Sequence, residues 1–408
     1  MPDPATTSEV GLDGILAFAD ARSPILKVAR STRSRAEAAK IAAEILLPSN
    51  PELGFGIGPR VARGGTGTDV ELSLSQQIQI AGERGLRIDA ADRLRELTDA
   101  EIEQIRWAVH TDVHAAFHRA LVARERARLA ERVLAFQEEL LRVVERQIAA
   151  GDAAPLTLRL AQAEAAQARQ ASVAAAQSLL SARIRLAQLS GWPVDSPPVP
   201  IGGLDAPRDP PAQADLVRTA RQHLPRLRVR HASVREAQAR ADLASREAWP
   251  RPSLGVAYRH EGNPEPEGPR DVVLGTITIP IPSWQLNQGE RARTRADVTV
   301  AQTELDAVEM LLAGDIAQAR SEVAAAAQRV RSYGTEVLPR FEENLTLLRR
   351  SFELGEIDLL ALSIGRERFL RIQSDALDAH LDYFVAIADL ERVIGVDLWR
   401  DEHHEEAP

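Results

Sequence analysis

The chain has 408 residues, of which 44% are hydrophobic, 27% charged and 4% aromatic, and it contains no cysteine. Its net charge of −9 excludes the basic surface that nucleic acids or anionic lipids require, and it suits a cation better than an anion. The lack of cysteine excludes disulfides, thiolate metal sites and a cysteine nucleophile. The many Ala, Leu, Arg, Glu and Gln residues are typical of long helices, so we expect a mainly α-helical protein.

The start of the chain gives no sign of membrane targeting. Residues Met1–Thr7 lack the basic and apolar regions of a secretory signal. No apolar run in the chain approaches the roughly 20 residues that a membrane helix needs. A soluble periplasmic or cytoplasmic coiled-coil scaffold is therefore one interpretation that the sequence leaves open.

The chain is internally duplicated, which predicts two structural repeats, 1–204 and 205–408, that form one intertwined domain. Ten positions of the first repeat recur 201 positions later, namely Ile15, Ala19, Pro24, Leu26, Val28, Ala36, Ala43, Pro51, Leu53 and Gly54 as Leu216, Ala220, Pro225, Leu227, Val229, Ala237, Ala244, Pro252, Leu254 and Gly255. Further along, the offset is 204, with Gly151, Leu156 and Gly191 recurring as Gly355, Leu360 and Gly395.

Each repeat begins with a predicted helix and continues with a predicted strand hairpin. The helices span roughly 9–47 and 212–248 and are interrupted by Pro24 and Pro225. The hairpins fall within 51–80 and 252–282. Apolar residues alternate there with small or polar ones, as in strands with one apolar face, in the segments 51–59, 70–75, 254–258 and 273–281.

A long helical hairpin completes each repeat, over 83–190 and 289–395. From Glu83 to Ala149 the pattern is helical without a proline, which corresponds to a rod on the order of 100 Å. The second rod runs from Glu290 to Leu354 with a kink expected at Pro339. Such rods can bury their apolar stripe only along other rods.

The four strands need partners from outside the chain. Two separate hairpins cannot close a barrel, and a lone hairpin with an apolar face is not stable in water. Several copies that each donate four strands would form a closed barrel, which spans a bilayer without unpaired backbone groups. In that case we expect Leu72, Leu74, Ile277 and Ile279 to face lipid, and Ser73, Ser75 and Thr278 to face the lumen.

The order of elements, the duplication, Pro51-Glu-Leu-Gly54 and the glycine-containing turns resemble the TolC family of outer-membrane efflux proteins over nearly the whole chain. The segment Ile279-Pro-Ile-Pro-Ser-Trp-Gln-Leu-Asn-Gln-Gly-Glu290 also resembles this family. Within it, Pro280–Gly289 is similar to the signature at the barrel-to-tube junction of the branch that serves heavy-metal efflux, the CzcC-like proteins. The resemblance assigns five residues to this junction: Pro280, Pro282, Asn287, Gln288 and Gly289.

The resemblance implies a homotrimer that needs no cofactor. Its twelve strands would form one transmembrane β-barrel in the outer membrane of a Gram-negative bacterium, above a helical tube in the periplasm. The tip of the tube would dock on a periplasmic adaptor that couples it to an inner-membrane proton-driven pump of the RND type. By position, the two tip turns contain Gly151, Asp152, Leu156, Gly355, Glu356 and Leu360.

In some members of the family, a pair of aspartates beyond the second tip turn narrows the closed pore. Ala361 and Ile364 occupy those places here, and the nearest acids are Glu356, Asp358 and Glu367. An acidic ring, if formed, would therefore be displaced toward these three residues.

Three histidines raise the question of a metal site. His110, His114 and His118 lie four residues apart, so their side chains are neighbours on one helix face and could share a divalent ion in transit. The alternative, which we favour, is a polar stripe beside the apolar seam at Val109, Val113 and Phe117.

The sequence contains no phosphate loop, no Ser-His-Asp order and no paired carboxylates in an obvious cleft. We therefore expect a passive efflux channel rather than an enzyme, with divalent heavy-metal cations as its cargo. A drug or a secreted polypeptide remains the alternative cargo.

Overall fold

The computed structural model describes residues 9–62, 64–151, 154–264, 268–354, 356–357 and 359–399. Helices dominate these residues, as predicted. In chain order they are α1 (Leu12–Arg22), α2 (Pro24–Ser31), α3 (Arg33–Glu44), α4 (Glu83–Ala150), α5 (Pro155–Ser190), α6 (Gln213–His223), α7 (Pro225–Arg246), α8 (Gln288–Ser332), α9 (Leu338–Glu353) and α10 (Leu359–Ile394). The strands are β1 (Glu9–Val10), β2 (Glu52–Ala62), β3 (Gly65–Gln77), β4 (Val199–Pro200), β5 (Ser253–Glu261) and β6 (Arg270–Thr278).

The chain forms two compact units, each built from segments of both repeats. The first unit comprises the described residues of 1–30, 102–225 and 309–408. The second unit comprises the described residues of 31–101 and 226–308, which include the four long strands.

The core of the first unit lies where α1 and the end of α5 pack on α4. Ile15, Val113 and Leu186 are fully buried there, and the rings of Phe18 and Trp192 lie 4.7 Å apart. Burial of each large apolar side chain contributes about 1.5–3 kcal/mol. The short parallel pair of β1 and β4 borders this core through Val10.

Two glycines end helices at matching places of the two repeats. Gly191 follows α5 with φ +80°, and Gly395 follows α10 with φ +83°. A Cβ at Gly191 would lie 2.4 Å from the carbonyl oxygen of Arg22, and one at Gly395 would lie 2.6 Å from Cα of Leu224. Both positions therefore require glycine for the left-handed conformation and for the close approach of the backbone.

The four long strands form one antiparallel sheet in the order β2-β3-β5-β6. The expectation of two separate hairpins was therefore wrong, because β3 pairs with β5 over eight residues, from Val70↔His260 to Gln77↔Ser253. Strand β6 ends at Thr278, whereas the alternation had predicted a strand to Ile281. Pro280 offers no N–H to continue the ladder, so Ile279 lies outside the sheet.

Prolines also change two of the predicted helices. The helix expected over 9–47 is three helices preceded by β1, and the first break lies at Ser23, before Pro24. The second rod is not one kinked α-helix, because a π-helical turn, Tyr333–Val337, separates α8 from α9. In this turn Leu338 N donates to Tyr333 O. Pro339 has no N–H, and such disturbances of the ladder commonly accompany a widened turn.

Candidate functional site

One face of the four-stranded sheet is apolar and exposed. Leu53 and Phe55 on β2 are 71% and 69% exposed, and Ile277 on β6 is 70% exposed. The register aligns these residues across the strands in Leu53↔Leu74, Phe55↔Leu72, Leu72↔Tyr258, Leu74↔Val256 and Leu254↔Ile277. A continuous apolar surface of this kind on a soluble protein marks a contact with lipid or another protein.

The opposite face of the sheet is polar and contains ion pairs. Arg60 Nε lies 2.9 Å from Asp69 Oδ1, and its Nη2 lies 3.3 Å from Glu261 Oε1. Arg259 Nη2 lies 2.9 Å from Glu71 Oε2. Sequence reasoning missed the pairs with Glu261 and Arg259 because they join strands that are far apart in the chain, whereas Arg60 and Asp69 lie in one hairpin. The alternation of the strands places these charged side chains on the face opposite the apolar one, although His260 and Asp271, 2.8 Å apart, lie on the apolar face near its end.

The segment between β6 and α8, residues 279–287, is hydrogen-bonded to the end of α7. Asn287 has φ +54°, and its Nδ2 donates to Ala244 O at 2.9 Å. Gln288 Nε2 donates to Trp284 O, and its Oε1 accepts from Leu286 N. A cleft of about 620 Å³ lies between residues 247–251 and 280–287, and Pro280 and Pro282 line it. A Cβ at Gly289 would meet no atom within 4 Å.

The two tip turns are partly outside the described residues. Gly151 has φ +84° and its N donates to Ile148 O. Leu156 lies in the first turn of α5 and is 68% exposed. In the second turn Glu356 is exposed, its N donates to Ser351 O, and Leu360 belongs to α10. Asp152 and Gly355 lie outside the described residues.

The three acids considered for a pore constriction are not brought together by the described structure. Glu367 is 71% exposed and pairs with Arg371 at 3.0 Å on the same helix. Glu356 lies in the turn before α10, and Asp358 lies outside the described residues. Ile364 is 59% exposed.

The three histidines of α4 bind separate partners on the last helix and its C-terminal side. His110 Nε2 donates to Asp397 Oδ1 at 2.6 Å, and His114 Nδ1 donates to Glu391 Oε2 at 2.7 Å. His118 stacks on Phe384 with centroids 4.0 Å apart, and its Nδ1 donates to His114 O. Burial, together with a smaller effect of the neighbouring His114, lowers the pKa of His118 to about 3.

No group of three or more His, Cys, Asp or Glu side chains able to hold a metal ion occurs in the described part of the chain. The side chains of His110 and His114 contact carboxylates about 280 residues away in the sequence, and His118 stacks on Phe384 of α10. Periodicity alone identified the stripe but could not identify these partners.

Sequence comparison assigns the family. The profile of the outer membrane efflux protein family matches residues 15–192 and 216–396. The chain therefore belongs to this family, as its resemblance to TolC-type proteins predicted. Among the described residues, no helix is both long and apolar enough to cross a membrane.

Particular relatives refine this result. The chain is 25% identical to the cobalt-zinc-cadmium resistance protein CzcC of Cupriavidus metallidurans over 320 residues, or 78% of this chain and 75% of that protein. It is 34% identical to the nickel-cobalt-cadmium resistance protein NccC of Alcaligenes xylosoxydans xylosoxydans over 119 residues, or 29% and 27% of the two chains.

A solved structure shows the same fold. The CmeC outer membrane channel of Campylobacter jejuni superposes with a TM-score of 0.74 at 15% identity, over 96% of this chain and 87% of that one. The mainly helical fold with a small β part is thus confirmed. The matched family and this structure are efflux proteins and channels rather than enzymes.

Proposed function

We propose that this chain forms the outer-membrane exit duct of a tripartite efflux system, and that the duct carries divalent heavy-metal cations. Three copies would share their sheets in one barrel. The tip turns around Gly151 and Glu356 would dock on a periplasmic adaptor, which an RND-type pump of the inner membrane would supply with cargo. The duct itself would perform no chemistry.

The exposed apolar face of the sheet is the observation that supports this function best. Each of its four strands contributes large apolar side chains at alternate positions, with the His260–Asp271 pair at the end of this face. The other face holds mainly glycines, serines, threonines and ion pairs, together with Val272 and Leu274 of β6. This is the pattern of a strand between lipid and a water-filled lumen. A soluble coiled-coil scaffold has no use for such a sheet.

The cargo assignment is supported by the metal-resistance relatives, CzcC above all, and agrees with the acidic net charge of the chain. The test is deletion of the gene in its source bacterium, followed by growth in graded zinc, cobalt, cadmium and, separately, organic antibiotics. We expect the deletion to cause sensitivity to the metals alone, and the intact gene, but not the Ile277→Arg variant, to restore resistance. Sensitivity to antibiotics alone would contradict a metal cargo while leaving the duct in place.

A further inference from the structure

The four-stranded sheet has two open edges. Strand β2 forms one edge and β6 the other, so each presents unpaired backbone N–H and C=O groups along its outer side. Open edges bordered by an exposed apolar face pair readily with another chain. Which residues meet there depends on the register, and the trimer proposed above does not specify it.

The duplication relates the strands at the edges to the strands inside the sheet. Glu52 pairs with Ser75 in the first hairpin, and Ser253 pairs with Thr278 in the second. Strand β5 is therefore the duplicate of β2 at an offset of 201, and β6 is the duplicate of β3 at an offset of 203. If β3 is replaced by its duplicate β6, and β5 by its duplicate β2, the internal β3–β5 pairing becomes a pairing of β6 with β2. These are the two strands at the edges of the sheet.

We propose that β6 of one copy pairs with β2 of the next copy in the register that the duplication transfers from β3–β5. This inference rests on the proposed trimer and specifies how its copies pair. The pairing of β6 of one copy with β2 of the next is called the seam below. The internal pairs Ser75↔Gly255, Ser73↔Ala257 and Glu71↔Arg259 become three pairs between copies. These pairs are Thr278 with Gly54, Thr276 with Gly56, and Leu274 with Gly58.

The side chains at the two edges fit this register. Gly255 lies inside the sheet, where a Cβ would be 2.7 Å from Thr276 Oγ1 on one side and 3.3 Å from Ser75 Cβ on the other. Its duplicate Gly54 is crowded on one side only, where a Cβ would be 2.5 Å from Ser73 Oγ. In the proposed register Thr278 of the neighbouring copy fills the open side.

The rest of the seam is consistent with the same register. A Cβ at Gly56 would meet only Glu71 Cβ, at 3.8 Å, and one at Gly58 would meet no atom within 4 Å. These glycines leave room for Thr276 and Leu274 of the neighbouring copy on the polar face. On the apolar face Phe55 comes to lie opposite Ile277, so the apolar surface continues across the seam.

The hydrogen-bond pattern shows which of these pairs lie closest. Beyond Gln77↔Ser253, the ladder continues with Ile78 N donating to Pro252 O at 2.9 Å. Pairs on the apolar face of β3–β5 are therefore hydrogen-bonded, and those on the polar face are not. Transferred to the seam, Gly56 and Thr276 form a non-hydrogen-bonded pair, with Cα atoms about 4.5 Å apart.

Cysteine crosslinking tests the register directly, because the chain has no cysteine of its own. The double variant Gly56→Cys/Thr276→Cys would be purified in detergent, oxidised with copper phenanthroline and separated by denaturing, non-reducing electrophoresis. We expect the monomer band to shift to covalent dimers and trimers, and reductant to restore it. Gly58→Cys/Leu274→Cys should behave in the same way.

Two kinds of control keep the result interpretable. Gly56→Cys/Leu274→Cys is displaced by two residues, so the Cα atoms would lie roughly 7–8 Å apart, beyond the reach of a disulfide. It should give no covalent oligomer. Ser73→Cys/Ala257→Cys is an internal pair and should form a disulfide within one chain, which shows that the sheet is folded and the oxidant active.

Several outcomes would overturn the seam. Stronger crosslinking of the displaced pair would show another register, and covalent dimers of Gly56→Cys alone would show that β2 pairs with β2. A trimer in which only the internal pair forms a disulfide would exclude this seam and leave the proposed function intact. A chain that stays monomeric in detergent would exclude the proposed trimer together with the seam.

Discussion

Two glycines with the same backbone conformation differ in their surroundings. Gly151 has φ +84° and an open surrounding, whereas Gly191 has φ +80° and packs against the carbonyl of Arg22. Replacement by alanine costs about 1–2 kcal/mol at either position for the left-handed conformation. Only at Gly191 does the added Cβ also collide with backbone.

We therefore predict that Gly191→Ala destabilises the protein more than Gly151→Ala. Urea titration of the purified variants should show a loss of about 1 kcal/mol for Gly151→Ala and of several kcal/mol for Gly191→Ala. Gly151→Ala should instead affect the turn that is proposed to dock on the adaptor. Equal losses of stability would mean that the packing at Gly191 does not constrain the fold.

The buried imidazole of His118 predicts a dependence of stability on pH. Its pKa is about 3 in the folded protein and 6.5 in the unfolded chain, so the unfolded state binds more protons below pH 6.5. Stability should therefore fall as the pH drops from 6.5 toward 3. By pH 5 the loss is about 2 kcal/mol.

The measurement is chemical unfolding of the parent protein and of His118→Phe at pH 7.5 and pH 5. Phenylalanine keeps the stacking on Phe384 but takes up no proton, so the variant should lose less stability on acidification than the parent. His380 remains in both proteins, and burial lowers its pKa in the same direction. Identical losses in the two proteins would contradict a buried neutral His118.

At the scale of single residues, the sequence predicted positions better than partners. The four-residue spacing places His110, His114 and His118 on one side of α4, beside the buried apolar residues Val113 and Phe117. It could not indicate that Asp397 and Glu391 accept hydrogen bonds from His110 and His114, because periodicity contains no information on contacts between distant segments.

At the scale of elements, the sheet makes adjacent residues respond differently to charge. Ile277 belongs to the apolar face and Thr278 to the polar one, since successive side chains alternate across a strand. Arginine on the lipid face costs roughly 2–4 kcal/mol at mid-membrane and less toward the interface, so Ile277→Arg, one residue before the end of β6, should still reduce assembly. Thr278→Arg should reduce assembly less than Ile277→Arg, because its side chain lies on the polar face, and it should change conductance.

Both variants can be compared in outer-membrane fractions and in planar bilayers. We expect less heat-resistant trimer for Ile277→Arg than for Thr278→Arg, and an altered single-channel current for Thr278→Arg. Indistinguishable behaviour of the two variants would show that these strands do not separate lipid from a lumen.

Elements of regular local pattern were predictable, and their pairing was not. The rod expected from Glu83 to Ala149 is the observed α4, Glu83–Ala150, because an uninterrupted helical pattern without proline specifies its own length. The joining of the hairpins through β3 and β5 was missed. That pairing connects residues more than 170 positions apart and depends on tertiary packing, which no local signal encodes.

At the scale of the whole molecule, the negative net charge of the chain should affect which ions pass through the proposed duct. Each chain carries a net charge of −9, so a lumen enclosed by three copies would lie within an acidic protein and concentrate cations. Unlike the ion pairs on the polar face of the sheet, the exposed Glu356 has a charge that no described salt bridge neutralises.

The reconstituted channel should therefore prefer cations. In a gradient of potassium chloride, the reversal potential should have the sign of a cation-selective pore at about 0.01 M salt, where the Debye length is roughly 30 Å. The preference should decline toward 1 M, where screening reduces that length to about 3 Å. Glu356→Gln should weaken the cation preference at low salt if Glu356 lies near the narrowest part of the pore. The control is Glu103→Gln, which removes a carboxylate that is paired with Arg106. It should change the preference less. An anion preference, or a selectivity independent of salt, would contradict an acidic conduit for metal cations.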